Sequence, residues 1–124
     1  MLPTTDADLE TPFTAEDYTN AATDDTLFTI QTATSEYSIF LFKDYAGTQA
    51  NATPTWKGKS NYAPSSSKVS LQIYNYADNQ WDDVIENNAV GAGDEFTLTK
   101  SIPLEDHYKS ANNIISCRVW QLGP

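Results

Sequence analysis

The sequence predicts an all-β protein, an antiparallel two-sheet sandwich of seven or eight strands with one or two short helical turns. Three observations predict it. Val69, Leu71 and Ile73 alternate with Ser70, Gln72 and Tyr74, the period-2 pattern of a strand with one buried face. Ala77-Asp78-Asn79-Gln80 supplies turn chemistry, after which Trp81, Val84 and Ile85 mark a return strand. No long stretch repeats apolar residues at the helical period, and the connections between apolar runs are of hairpin or loop length.

The elements follow in chain order. Residues 1–25 read as a polar, acidic N-terminal arm, with Asp6, Asp8 and Glu10 as a solvated run. Within it, Thr14 followed by Glu16 and Asp17 has the form of a helix cap, good for a turn through Tyr18; Thr19, Asn20 and Thr23 argue against a long helix. A sandwich domain then occupies residues 26–124. Leu27–Thr32 reads as its first strand. Tyr37–Phe42 is the most apolar run of the chain, and large side chains on both its faces predict a central place in its sheet. Residues 44–53 are a loop whose Asn51-Ala52-Thr53 triplet is read as incidental, and Trp56 opens the next strand. Gly58 is expected to permit a bulge or bend. Beyond the central hairpin, a loop through Gly91 and Gly93 leads to Glu95–Thr99, with Phe96 and Leu98 inward. Leu104–Tyr108 has the spacing of a helical turn. The final strand, Asn113–Gln121, turns Ile115, Cys117 and Val119 to the core.

Composition narrows the function classes. One domain of 124 residues buries roughly 65% of its unfolded surface without covalent staples. Seventeen acidic against seven basic residues give a formal charge of −10, so nucleic acid and anionic membrane surfaces are not expected partners. No apolar run approaches the ~18 residues of a membrane span, and Leu2-Pro3-Thr4 does not resemble a secretion leader. A chain assembled in the cytoplasm, or a mature or excised piece, is the expectation. Cys117 is the single cysteine, which excludes an intrachain disulfide.

The chemistry-bearing residues do not assemble into a reaction centre on paper. His107, the single histidine, lies beside Asp106 in an expected turn, and no serine is marked as its nucleophile. One histidine and one thiol fall short of a zinc ligand set. The pairs Asp82-Asp83, Asp94-Glu95 and Glu105-Asp106 are adjacent, and adjacent residues on a strand point to opposite faces. No catalytic residue, cofactor or metal is therefore expected. The aromatics remain as a lead. By parity Gln72, Tyr74 and Tyr76 leave the core face on one strand, and Arg118 and Trp120 on another; with Trp56 these are the candidate ligand- or partner-binding residues.

Tyr37–Lys43, Trp56-Lys57-Gly58-Lys59-Ser60, Ala63–Ser67, Leu71–Asn75, Trp81 and Ile115–Gln121 occur in an order that resembles the jelly-roll, galactose-binding-like modules of bacteriophage structural and bacterial cell-surface proteins. The likeness covers about residues 26–121, and Trp120 stands where Tyr would be common. It implies a jelly-roll-like sandwich and a non-catalytic structural or adhesive module of a viral particle, a head decoration or tail component located in the virion. The alternative it implies is an extracellular or cell-surface carbohydrate-binding module of a secreted enzyme or adhesin. Expected partners are other virion or surface-assembly proteins, further copies of the chain as a homo-oligomer, or glycans.

Overall fold

The computed structural model describes residues 2–7, 11–23 and 27–124. Eight strands are found among them: β1 (Tyr37–Tyr45), β2 (Asn51–Ala52), β3 (Thr55–Gly58), β4 (Val69–Asn75), β5 (Gln80–Asn87), β6 (Phe96–Thr99), β7 (Ile102–Pro103) and β8 (Ile114–Leu122). Helix α1 (Ala15–Ala21) and a 3-10 turn at Asp106–Tyr108 complete the described elements.

The strands form two antiparallel layers. One is a four-stranded sheet in the order β1-β8-β4-β5. The other is a two-stranded ribbon in which β2 pairs with β7 and β3 with β6. A single register runs through both pairs, Asn51 opposite Pro103 to Gly58 opposite Phe96, so the ribbon is one hairpin-like ladder interrupted around Pro54. Proline cannot donate to a ladder, which accounts for the break. Between the layers sit Val69, Leu71 and Ile73 of β4, Cys117 and Val119 of β8, and Phe96 and Leu98 of β6, all buried. A fully enclosed side chain such as Leu71 contributes about 1.5–3 kcal/mol.

Local chemistry explains most of the elements. Thr14 and Asp17 form a reciprocal capping box, and α1 extends two turns rather than one because that cap satisfies the first orphan N–H groups. The β4–β5 turn places Asn79 at φ 53°, in the left-handed region that asparagine tolerates. Gly58 sits in an unshifted ladder and makes no bulge. Its role is close approach: the Trp56 ring lies over it, and a Cβ there would come within 2.5 Å of that ring. The loop before β4 is held by Gln121, which is buried, receives the Ser60 hydroxyl, and donates to the carbonyls of Tyr62 and Ser67.

Three further expectations are corrected. Leu27–Thr32 is not a strand; it runs outside β1 without a ladder, attached through the Gln31 side chain, whose Oε1 accepts from Ile39 N–H at 2.8 Å. Nor is β1 central. It is an edge strand; Phe40 packs against Phe13 on its core face and Tyr37 against Trp120 on the other, with no further strand beside it among the described residues. The solvated reading of the acidic run fails at Asp6, whose carboxylate is hydrogen-bonded to the sheet. Asp8 and Glu10, the other members of that run, lie outside the described residues.

Candidate functional site

Period-2 geometry sends Val69, Leu71 and Ile73 inward and Ser70, Gln72 and Tyr74 to the opposite, outer face of the four-stranded sheet. Antiparallel pairing of β4 with β8 places Gln72 opposite Arg118 and Ser70 opposite Trp120. β5 adds Asp83 beside Gln72 and Trp81 beside Tyr74. Five of the six residues expected to bind a partner, Gln72, Tyr74, Tyr76, Arg118 and Trp120, are thereby brought together.

They are not an open patch. Every residue of β4 is buried on both faces, Tyr74 is 3% exposed and Arg118 4%. The expectation that this face projects into solvent is corrected, because the N-terminal arm lies across it. The Pro3 carbonyl accepts from Arg118 Nη1 at 2.6 Å. Asp6 Oδ2 accepts from the Tyr76 hydroxyl at 2.7 Å and from Ser116 Oγ at 3.2 Å, with Lys43 Nζ 4.0 Å away.

Under the arm most of the polar groups satisfy one another. Gln72 Oε1 accepts from Arg118 Nε at 2.8 Å and from Trp120 Nε1 at 3.0 Å, while Gln72 Nε2 donates to Asp83 Oδ1 at 2.6 Å. The amide thus bridges a guanidinium to a carboxylate. The Arg118 guanidinium also stacks 4.2 Å from the Trp81 ring centre, and Tyr74 meets Trp81 and Tyr76 edge-on at 5.1 and 4.9 Å. Burial lowers the Arg118 pKa to about 10, against the pull of Asp83, so the group is still cationic at neutral pH. Burial, with the Ser116 hydrogen bond opposing and Asp6 adding, raises the Tyr76 hydroxyl to about 12. Two polar atoms of this face find no partner among the described residues: Ser70 Oγ and Trp81 Nε1.

Trp56 does not join this group. It stands on β3 in the other layer, packed against Phe40 and Phe96 at 6.0 and 5.4 Å. Asp82 and Asp83 diverge as adjacent strand residues must: Asp83 faces Gln72, whereas Asp82 accepts from Tyr108 and Asn75 on the other side.

A second region was missed by strand reasoning. Of the six large apolar side chains left exposed among the described residues, Tyr18, Leu27, Phe28 and Ile30 fall between α1 and the segment beside β1. That segment is tied to α1 by Thr29 Oγ1 donating to the Asp17 carbonyl at 3.0 Å, and α1 is tied to β1 by Phe13 against Phe40 at 6.2 Å. Between it and the sandwich runs a groove of about 1390 Å³ whose lining includes Ile30, Phe40, Trp56, Lys59 and Tyr62. The readable signal was the set Leu27, Phe28 and Ile30 itself, apolar yet lacking a strand partner. The residues missed on the outer face are Pro3, Asp6, Lys43, Trp81, Asp83 and Ser116, none of which alternation alone can assign a contact. No protein family, curated protein or solved structure matches the chain.

Proposed function

We propose that the chain is a non-catalytic structural or adhesive module of a larger assembly, a virion component such as a head decoration or tail protein in keeping with the resemblance of its sequence. Its binding surface is the apolar stripe of Tyr18, Leu27, Phe28 and Ile30. The observation that carries this reading is exposure: Ile30 is 80% and Leu27 57% open to solvent within one short segment. Single exposed apolar residues are ordinary, whereas three within four consecutive positions, Leu27, Phe28 and Ile30, support an interaction surface. A charge of −10 opposes indiscriminate association, and contact through this apolar segment, with Lys59 Nζ 5.0 Å from the Phe28 ring centre, gives a specific geometry.

Sedimentation velocity over a concentration series tests the reading. Wild type associates as concentration rises, and Ile30→Asp remains monomeric with an unchanged melting temperature. A wild type that stays monomeric throughout and binds a discrete sugar on a glycan array, with loss in Trp56→Ala, overturns it. That outcome supports the second reading, a carbohydrate-binding module. The specific feature favouring it is the groove, where Trp56 and Tyr62 offer stacking surfaces beside Lys59 and Asn61.

A further inference from the structure

The two layers are unequal in width. At a strand spacing of about 4.8 Å, a two-stranded ribbon covers about half of a four-stranded sheet. The inner face at β1 is closed instead by Phe13 and by residues 27–34, which make no ladder. The groove of about 1390 Å³ lies at this closure, and its lining includes Phe40, Phe42, Trp56 and two members of the buried core, Val69 and Val119. It has room for the apolar body of a small molecule, for which pockets are typically about 300–1,000 Å³. The same lining carries two polar groups with no hydrogen-bond or ion-pair partner among the described residues. Lys43, Lys57 and Lys68 each meet a carboxylate, that of Asp6, Glu95 and Glu86. Lys59 meets none, although the chain has 17 acidic residues; its Nζ sits 5.0 Å from the Phe28 ring centre. Tyr62 engages its backbone N–H and carbonyl, and its hydroxyl is left over.

We propose that the groove binds a single-chain anionic amphiphile, an alkyl carboxylate, with its tail against Phe40, Phe42 and Trp56 and its head on Lys59 and Tyr62. Each half of that ligand answers a feature of the site. The tail takes apolar wall out of water where the ribbon leaves the sheet uncovered. The carboxylate accepts from the ammonium and the phenol, the only kind of head that both donors satisfy together while cancelling an unpaired charge. The acidic excess of the chain does not forbid this, because at physiological ionic strength charges beyond about 8 Å are screened and the local cation decides. The inference rests on the groove and not on self-association, which is read without ligand.

The test titrates the nitrogen-15 labelled full chain with dodecanoate, decanoate and octanoate, each below its micellar concentration, and with dodecanol. Dodecanoate should bind one to one and move the Trp56 indole signal, while the Trp81 indole on the opposite face of the sheet stays in place. Affinity should fall about fourfold for each methylene removed from the tail. Lys59→Gln, at an exposed position that leaves the melting temperature unchanged, should weaken dodecanoate about tenfold and dodecanol not at all. Tyr62→Phe should weaken dodecanoate about fivefold. Absence of saturable binding overturns the proposal, as does dodecanoate binding that Lys59→Gln leaves unchanged or that does not depend on tail length. An oligosaccharide that moves the Trp56 indole where dodecanoate does not also overturns it, and leaves the groove to the carbohydrate reading. Sedimentation of the ligand-free chain decides the assembly reading separately, so either can fail while the other stands.

Discussion

Truncating Tyr74 to alanine removes a ring that is 3% exposed and stacked edge-on against both Tyr76 and Trp81. On an uncovered sheet face, that change would cost little and leave the fold intact. With the arm and the β5 edge closing over it, the ring behaves as a core aromatic, and large-to-small aromatic truncations in cores cost about 3–5 kcal/mol. Set against a total of about 5–15 kcal/mol, that is a large share of the stability of one domain. With a urea slope of about 2 kcal/mol per molar, the unfolding midpoint should fall by about 1.5–2.5 M with little change in slope. Tyr45→Ala is the internal control: Tyr45 is 66% exposed, and its loss should stay within about 0.5 kcal/mol. Paired urea titrations followed by tryptophan fluorescence measure both. A Tyr74→Ala penalty below about 1 kcal/mol, comparable with the control, would refute a two-sided burial of β4.

Two further outcomes follow from the same packing. Cys117, 2% exposed and with its thiol pushed up to about 12 by burial, should ignore a maleimide or disulfide reagent in the native protein and react once unfolded; stoichiometric native labelling would contradict the facing of β8. Burial disfavours ionised Asp82, but hydrogen bonds from Asn75, Tyr108 and Gln80 and the charge of His107 outweigh it, holding the carboxyl below its ordinary 3.8. A depressed folded value stabilises the protein above the unfolded value and is lost as pH falls through the folded one. The stability gap between wild type and Asp82→Asn should therefore be constant from about pH 5 upward and narrow below pH 4; a gap that is level through the acid range would remove Asp82 from this role.

Alternation made the inward residues of β4 and β8 legible, because a two-residue period fixes which side chains share a face whatever the neighbours are. The same parity identified Gln72, Tyr74, Arg118 and Trp120 as leaving the core face. What lies over that second face is another matter. Gln72 and Arg118 are 46 residues apart, and Asp6 reaches Tyr76 across 70. Such contacts depend on tertiary closure, for which local sequence holds no period. β1 misled for a related reason: its two apolar faces fit a central strand, but an edge strand packed by Phe13 on one face and by Trp120 on the other has the same pattern. Leu27–Thr32 has strand-forming residues and no ladder partner, and propensity is outweighed by that absence. The capping box at Thr14 and the Trp56–Gly58 approach were legible in type because both are local.

The most direct measurement of the covered outer face is the Nε–H signal of Arg118 in a nitrogen-15 spectrum at neutral pH. A buried guanidinium held by Gln72 and Pro3 and stacked on Trp81 should give a sharp signal, slow to exchange with water, with proton contacts to the Trp81 ring and the Gln72 amide. An Arg118 signal that exchanges as fast as that of a free arginine, with no contact to Trp81, would show that the face is open and contradict the account.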